Sequence, residues 1–285
     1  MARLANLLLV VFLAAIAVAG LADALRKDGH HGLRGTLYYA NAQCRLAAVS
    51  LPTLAAVAAP ALHACDFAVS PAGSRASSWS IWGGGEPLVA SCVGNGVQID
   101  SARGPTLGLI GGCAPAWGPQ GELTFVRQGN VVAFPLHGRA RVVLPRDWLR
   151  RALGLGPEAE AVSAAWTGPR GLAVVVRAGA ADDVVALFAG TRLVASARPG
   201  GRLGRVTSRG DGGALLVERA DHGAVVLLDS RLRLLATRNA RAAAWSPDGR
   251  RLAVATGDRV LVVDASSGRS VAPPLELDAV ALAWR

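Results

Sequence analysis

The chain has 285 residues, 52% of them hydrophobic and 18% charged, with 30 lysines and arginines against 20 aspartates and glutamates for a net charge of +10. That balance excludes an intrinsically disordered chain, which lacks the apolar material for a core. Lys27 is the only lysine, and the arginines are dispersed rather than gathered in a stripe with aromatics, which argues against nucleic acid as a partner.

The first predicted element runs from Leu4 to Ala22, 19 residues without a charge. As a helix rising ~1.5 Å per residue it would nearly span a hydrocarbon core of ~30 Å. Residues 1–25 are therefore expected to form a transmembrane anchor or a signal peptide. Arg3 and the Ala17-Val18-Ala19 site fit cleavage, whereas the length favours an uncleaved, single-pass anchor. A juxtamembrane linker, 26–34, follows. Its Arg26, Lys27 and Arg34 would draw that side to the cytoplasm. His30 and His31 beside Asp28 offer no third fixed metal ligand, so no metal or cofactor is expected there.

The cysteines point the other way. Cys44, Cys65, Cys92 and Cys113 form an even set after an export-like segment, which reads as two disulfides in an oxidising, extracytoplasmic compartment. Cys44 to Cys65 and Cys92 to Cys113 are each 21 positions apart, so those two local loops are the preferred pairing among three. Four buried thiols in a cytoplasmic domain is the alternative.

From residue 35 onward a motif recurs: Trp or a substitute, a Gly/Pro-rich turn, then an apolar strand. It starts at Trp82, Trp117, Trp166, Ser208, Trp245 and Trp284, at spacings of 35, 49, 42, 37 and 39. Four-stranded propeller blades repeat at ~40–50 residues. The copy at 242–268 reads strand AAAW, turn SPDGR, strand RLAVAT, turn GD, strand RVLVVDA. Six starts predict an all-β, six-bladed β-propeller over 35–285. The last copy ends at ALAWR, and Arg34-GTLYYAN and CRLAAVSLP near the chain's beginning supply what it lacks. The two terminal strands are thus expected to share the closing blade, which removes an exposed sheet edge. In the first blade Phe67-AVSPAG competes with Trp82 as the innermost strand. If it wins, Trp79 and Trp82 belong to an insertion.

The stretch AWSPDGRRLAVATGDRVLVVDASSG resembles the repeat of TolB-like and WD40-like propellers, strongly over 240–268 and more weakly over the rest of 35–285. The resemblance implies a platform that binds proteins or associates with the cell envelope, without chemistry of its own. The Gly-His and Trp-Asp dipeptides of true WD40 repeats are missing from their places. TolB's own partners therefore do not transfer.

Recurrence at one repeat position makes Trp82, Trp117, Trp166, Trp245 and Trp284 inter-blade core residues. Asp211, Gly212, Asp248 and Gly249 read as turn residues. The stretch 137–151 interrupts the repeat in its longest spacing and gathers Arg139, Arg141, Arg146, Arg150 and Arg151 beside Trp148. It is expected to form a loop and a short helix, either a plain solvated excursion or a contact for an anionic partner, since guanidinium forks suit carboxylates and phosphates. His63, His137 and His222 are scattered across the repeats, and no catalytic motif is present. The expectation is a membrane-anchored, extracytoplasmic, non-enzymatic scaffold that binds an envelope protein. The alternative is a hydrolase or lyase acting on an extracellular glycan or peptide through the central funnel, with acidic residues drawn from several blades.

Overall fold

The structure, a computed structural model, describes residues 32–71, 86–135 and 138–285. The apolar stretch Leu4–Ala22, the His30-His31 pair, Trp82 and His137 lie outside them. Among the described residues no helix is long and apolar enough to cross a membrane.

In chain order the elements are β1 (Gly35–Ala40), β2 (Leu46–Leu51) and β3 (Ala56–Val57), then β4 (Phe67–Val69), β5 (Val89–Val93), β6 (Gly96–Ser101) and β7 (Gly104–Ile110). Next come β8 (Cys113–Trp117), β9 (Leu123–Arg127), β10 (Asn130–Phe134), β11 (Arg141–Leu144) and the helix α1 (Arg146–Leu153). They are followed by β12 (Glu160–Trp166), β13 (Gly171–Arg177), β14 (Val184–Ala189) and β15 (Arg192–Ala197), then β16 (Leu203–Ser208), β17 (Ala214–Arg219), β18 (Val225–Asp229) and β19 (Leu234–Arg238). The chain closes with β20 (Ala242–Trp245), β21 (Arg251–Thr256), β22 (Arg259–Asp264) and β23 (Ala281–Trp284).

These strands form six antiparallel sheets, blades 1 to 6 counted along the chain from the sheet that holds β1, each ordered along the chain except blade 1, whose order is β23-β1-β2-β3. Leu37 pairs with Trp284 and Ala40 with Ala281, so the two ends of the sequence close one blade as expected. The innermost strands touch in ring order, β23 to β4, β4 to β8, β8 to β12, β12 to β16, and β20 back to β23, with β17 bridging to β20.

The interior is six wedges, one between each pair of neighbouring blades. This explains why the inner strands are apolar on both faces. Side chains alternate across a strand, so Leu172, Val174 and Val176 of β13 enter the wedge toward blade 3, and Ala173 and Val175 the wedge toward blade 5. A strand sandwiched this way has no solvent face to make polar.

Turn chemistry sets the hairpins. In the blade 6 turn, Asp248 Oδ1 accepts from Ser246 Oγ (2.6 Å) and from the Arg250 N–H (3.0 Å), and Gly249 takes φ 68°. Ser246 Oγ also accepts the Arg251 N–H at 2.9 Å. Ser70 does the same for the Leu88 N–H at 2.9 Å. Val69-Ser70-Pro71 therefore matches Trp245-Ser246-Pro247, and the register of blade 2, the blade that opens with β4, is settled. β4 is the innermost strand, with Val69 paired to Val89. A start at Trp82 is corrected accordingly: Trp82 falls in an insertion between the first and second strands of the blade.

Blade 6 differs from the rest in having three regular strands. Where the fourth should run, Ser270-Val271-Ala272-Pro273-Pro274-Leu275 makes only isolated bridges, Val263 to Ser270 and Val260 to Leu275. Two consecutive prolines cannot donate to a ladder.

Candidate functional site

Strands alternate in direction, so the turns between second and third strands share one face of the ring with the blade-to-blade connections. We call this the connecting face. Both disulfides lie there: Cys44 in the β1–β2 turn bonds Cys65 before β4, and Cys92 near the end of β5 bonds Cys113 at the start of β8. Each ties the second-to-third-strand turn of one blade to the entry of the next. The shared separation of 21 positions is thus a consequence of the repeat, and the preferred pairing is the one formed.

Other joints on this face use different chemistry for the same task. From blade 3 to blade 4, Asn130 Oδ1 accepts the Arg146 N–H at 2.9 Å. From blade 4 to blade 5, fully buried Asp183 accepts the Leu203 N–H (2.8 Å) and pairs with Arg202 (3.0 Å). From blade 5 to blade 6, Glu218 accepts the Ala243 N–H at 3.5 Å.

The ring's axis is crossed by Arg205. It projects from β16 in blade 5 and donates through Nη1 to the Phe67 carbonyl (2.8 Å) and through Nη2 to the Leu282 carbonyl (2.9 Å), in blades 2 and 1. Arg285, just past β23, donates to the Val69 carbonyl at 2.7 Å. Two carboxylates face Arg205. Asp66 accepts the Ala114 N–H at 2.8 Å. Burial pushes its carboxyl above the ordinary range although Arg205 and that N–H pull it down. Burial likewise raises Glu218, Asp66 adding to the rise and Arg205 opposing it. Arg285 is lowered to about 10 by burial and by the like charge of Arg205.

The sequence reading did not single out these four residues, yet it holds a signal for two of them. Three positions before the last residue of each innermost strand stand Ala281, Asp66, Ala114, Ser163, Arg205 and Ala242. The only two charges in that series are of opposite sign and sit in opposite blades.

The five arginines singled out from the sequence are divided by the fold. Arg146 is committed to the backbone, donating to the carbonyls of Ala159 (2.8 Å), Pro157 (3.2 Å) and Glu158 (3.3 Å). Arg150 pairs with Asp147 at 3.0 Å. Arg139 and Arg141 are exposed at the start of β11, away from the connecting face, and Arg151 is exposed on α1. Trp148 turns inward, edge-on to Phe188 with ring centroids 5.4 Å apart. Each repeat tryptophan within the described residues packs on the preceding blade. Trp117 and Trp284 donate their Nε1 hydrogens to the carbonyls of Ala68 (3.2 Å) and Arg34 (2.9 Å). Trp245 lies under Arg209, 5.8 Å from the guanidinium, and Trp166 is half-buried among residues of blades 3 and 4.

No family model matches this sequence, and no curated protein does. Among solved structures, the β-propeller domain of Myceliophteria thermophila Cps50 (Swd1) superposes with a TM-score of 0.55 at 13% identity, over 87% of this chain and 89% of that one. This chain has the six-bladed β-propeller fold. A chain of a mitotic checkpoint complex gives a TM-score of 0.48 at 16% identity, over 73% of this chain and 67% of that one. At these identities the propeller likeness concerns architecture alone.

Proposed function

We propose that the chain is a non-enzymatic binding propeller of the cell envelope, anchored through residues 1–25 and presenting its connecting face to a protein partner outside the cytoplasm. The observation that carries this reading is Arg205. It spans the axis and spends both guanidinium edges on backbone carbonyls of other blades, so the channel is filled by the ring's own side chains and recognition falls to a face. The disulfides brace that face and suit an oxidising compartment. The propeller fold supports a protein partner, and the repeat at 240–268 supports kinship with TolB-like propellers.

A photo-crosslinking residue placed at Gln43 or Arg151, on the connecting face, should yield one defined adduct in intact cells, whereas placement at Asp248 on the opposite face should yield none. Equal adducts from both faces, or none from either, overturn the reading. A membrane-impermeant thiol reagent should label whole cells only after reduction. Labelling that requires lysis places the propeller in the cytoplasm and overturns the compartment.

A second reading draws on Asp66 and Glu218, two carboxylates with raised pKa values in the channel, the kind of perturbation found at catalytic sites. It makes the chain a hydrolase or lyase of an extracellular glycan or peptide. Turnover by the purified chain that Glu218→Gln abolishes would replace the first reading with this one.

A further inference from the structure

A groove of about 1120 Å³ opens between the outer parts of blades 5 and 6. Its floor is the wedge between these blades, where Leu227, Leu252 and Val263 pack together and close it. One lip is β19, through Leu235, Ala236 and Arg238. The other is the turn after β22, through Ser267, Gly268 and Ser270.

The backbones behind the two lips differ. On β22, Val260 exchanges both of its bonds with Leu275, the Val262 carbonyl accepts the Val271 N–H, and the Asp264 N–H donates to the Arg269 carbonyl. The segment 269–275 thus already covers that edge. β19 is bonded on one side only, by β18. The Asp229 N–H donates to the Arg233 carbonyl, which fixes the alternation: Val225 and Leu227 turn their backbone groups toward β19, and their partners Arg238 and Ala236 return the bonds. Thr237 between them therefore turns its N–H and C=O outward, and neither has a partner among the described residues.

An open edge is a template for another strand. Leu234 to Thr237 carry no proline or charge to discourage one, and Leu234 and Leu235 are 62% and 57% exposed. Val271, next to Ser270 on the other lip, is also exposed. The lips are basic as well. Arg238 reaches across so that its guanidinium lies against Gly268, and Arg269 follows on that lip; neither forms a salt bridge among the described residues. The carboxylates beside them are engaged, Asp229 by Arg233 (2.7 Å) and Asp264 by Ser266 and Ser267.

We infer that β19 takes up an extended acidic peptide of a partner protein as a fifth strand of blade 5, its main chain paired with Thr237 and its carboxylates at Arg238 and Arg269. Side chains alternate along such a strand, so one set faces the groove, where Leu235 and Val271 offer apolar contact. A second copy of the chain is the poorer guest, because it brings a net charge of +10 and the same arginines to a basic lip. A nucleic acid answers the charge but has no peptide groups to pair with Thr237. β19 is the outermost strand of blade 5, whereas Asp248 lies in the turn between the two innermost strands of blade 6. The crosslinking outcomes above and the outcome at this edge are therefore independent.

The test is a titration of the full chain with the fluorescein-labelled peptide EVEVEVE, with amide hydrogen exchange followed in its presence and absence. Saturable binding is expected, with exchange slowed in β19 and unchanged in β15, the outermost strand of the neighbouring blade. Affinity should fall at least tenfold in Thr237→Pro, which removes the outward N–H and leaves the ladder to β18 intact. It should fall at least tenfold in Arg238→Glu with Arg269→Glu, a surface pair that leaves the core untouched. The basic peptide KVKVKVK and the acidic but strand-averse EGEPEGE should each bind at least tenfold more weakly. Absence of saturable binding, a smaller loss in either variant, comparable binding of either control peptide, or slowed exchange in β15 rather than β19 would each overturn the proposal. Displacement of the peptide by an equal concentration of a thymidine oligonucleotide would assign the lip to nucleic acid instead.

Discussion

Arg205 holds a position that small residues hold in four other blades, and its contacts account for the difference. Its guanidinium is the shared counter-charge of Asp66 and Glu218 and joins three blades through carbonyls. Removing one member of a buried charge cluster leaves the others uncompensated, at a cost of about 3 kcal/mol. Arg205→Met is therefore expected to lower Tm by roughly 5–10 °C, measured by calorimetry; an unchanged Tm would contradict the account. The carboxylates also impose a pH dependence. A carboxyl raised in the folded state binds its proton more tightly there, so its contribution is present below the unfolded pKa and is lost as pH rises through the folded one. The turn residues Asp211 and Asp248, lowered by hydrogen bonds from Arg209 and Ser246, behave oppositely, as does Asp264, held at about 2 by Ser266 and Ser267. Their contribution is lost as pH falls. In urea titrations, Glu218→Gln should consequently flatten the fall in stability above the ordinary carboxylate range and leave the acid limb unchanged.

At the scale of the element, the closing blade depends on a tight approach. Gly35 has φ 105°, and a Cβ there would overlap the Arg285 carbonyl oxygen, the acceptor of the Thr36 N–H. Gly35→Ala is expected to destabilise by about 2 kcal/mol, from conformation and overlap together, read from chemical denaturation. The disulfides act between elements. Each closes a loop of similar length, and loss of one should cost about 3 kcal/mol through the entropy returned to the unfolded chain. Cys92→Ser with Cys113→Ser should concentrate its effect where the bond joins β5 to β8. Hydrogen exchange should accelerate in β8 before it does in β16; uniform acceleration would show that the bond acts on the whole ring.

At the scale of the molecule there is no single core to lose. Every blade lies between two wedges, so breaking the ring exposes two interfaces at once. β23 contributes Leu282 and Trp284 to the wedge with blade 6, and Ala281 and Ala283 to the wedge with blade 2. Deleting residues 279–285 removes both sets and leaves β1 with an unpaired inner edge. The truncated chain should lose its cooperative thermal transition. Retention of a transition within roughly 5 °C of the intact chain would refute ring closure as the source of stability.

The sequence by itself determined the blade count and the shared closing blade and favoured the disulfide pairing that the structure forms, because all three follow from periodicity and spacing. Six turn-and-strand copies, the truncated copy at Trp284, and two cysteine pairs 21 positions apart are local patterns that any conformation of the chain carries. Only the tertiary structure decided which charges matter. Arg139, Arg141, Arg146, Arg150 and Arg151 are neighbours along the chain, but strand direction separates them, and the backbone claims Arg146. Asp66 and Arg205 are far apart in sequence and meet because a closed ring of six sets opposite blades face to face across one axis.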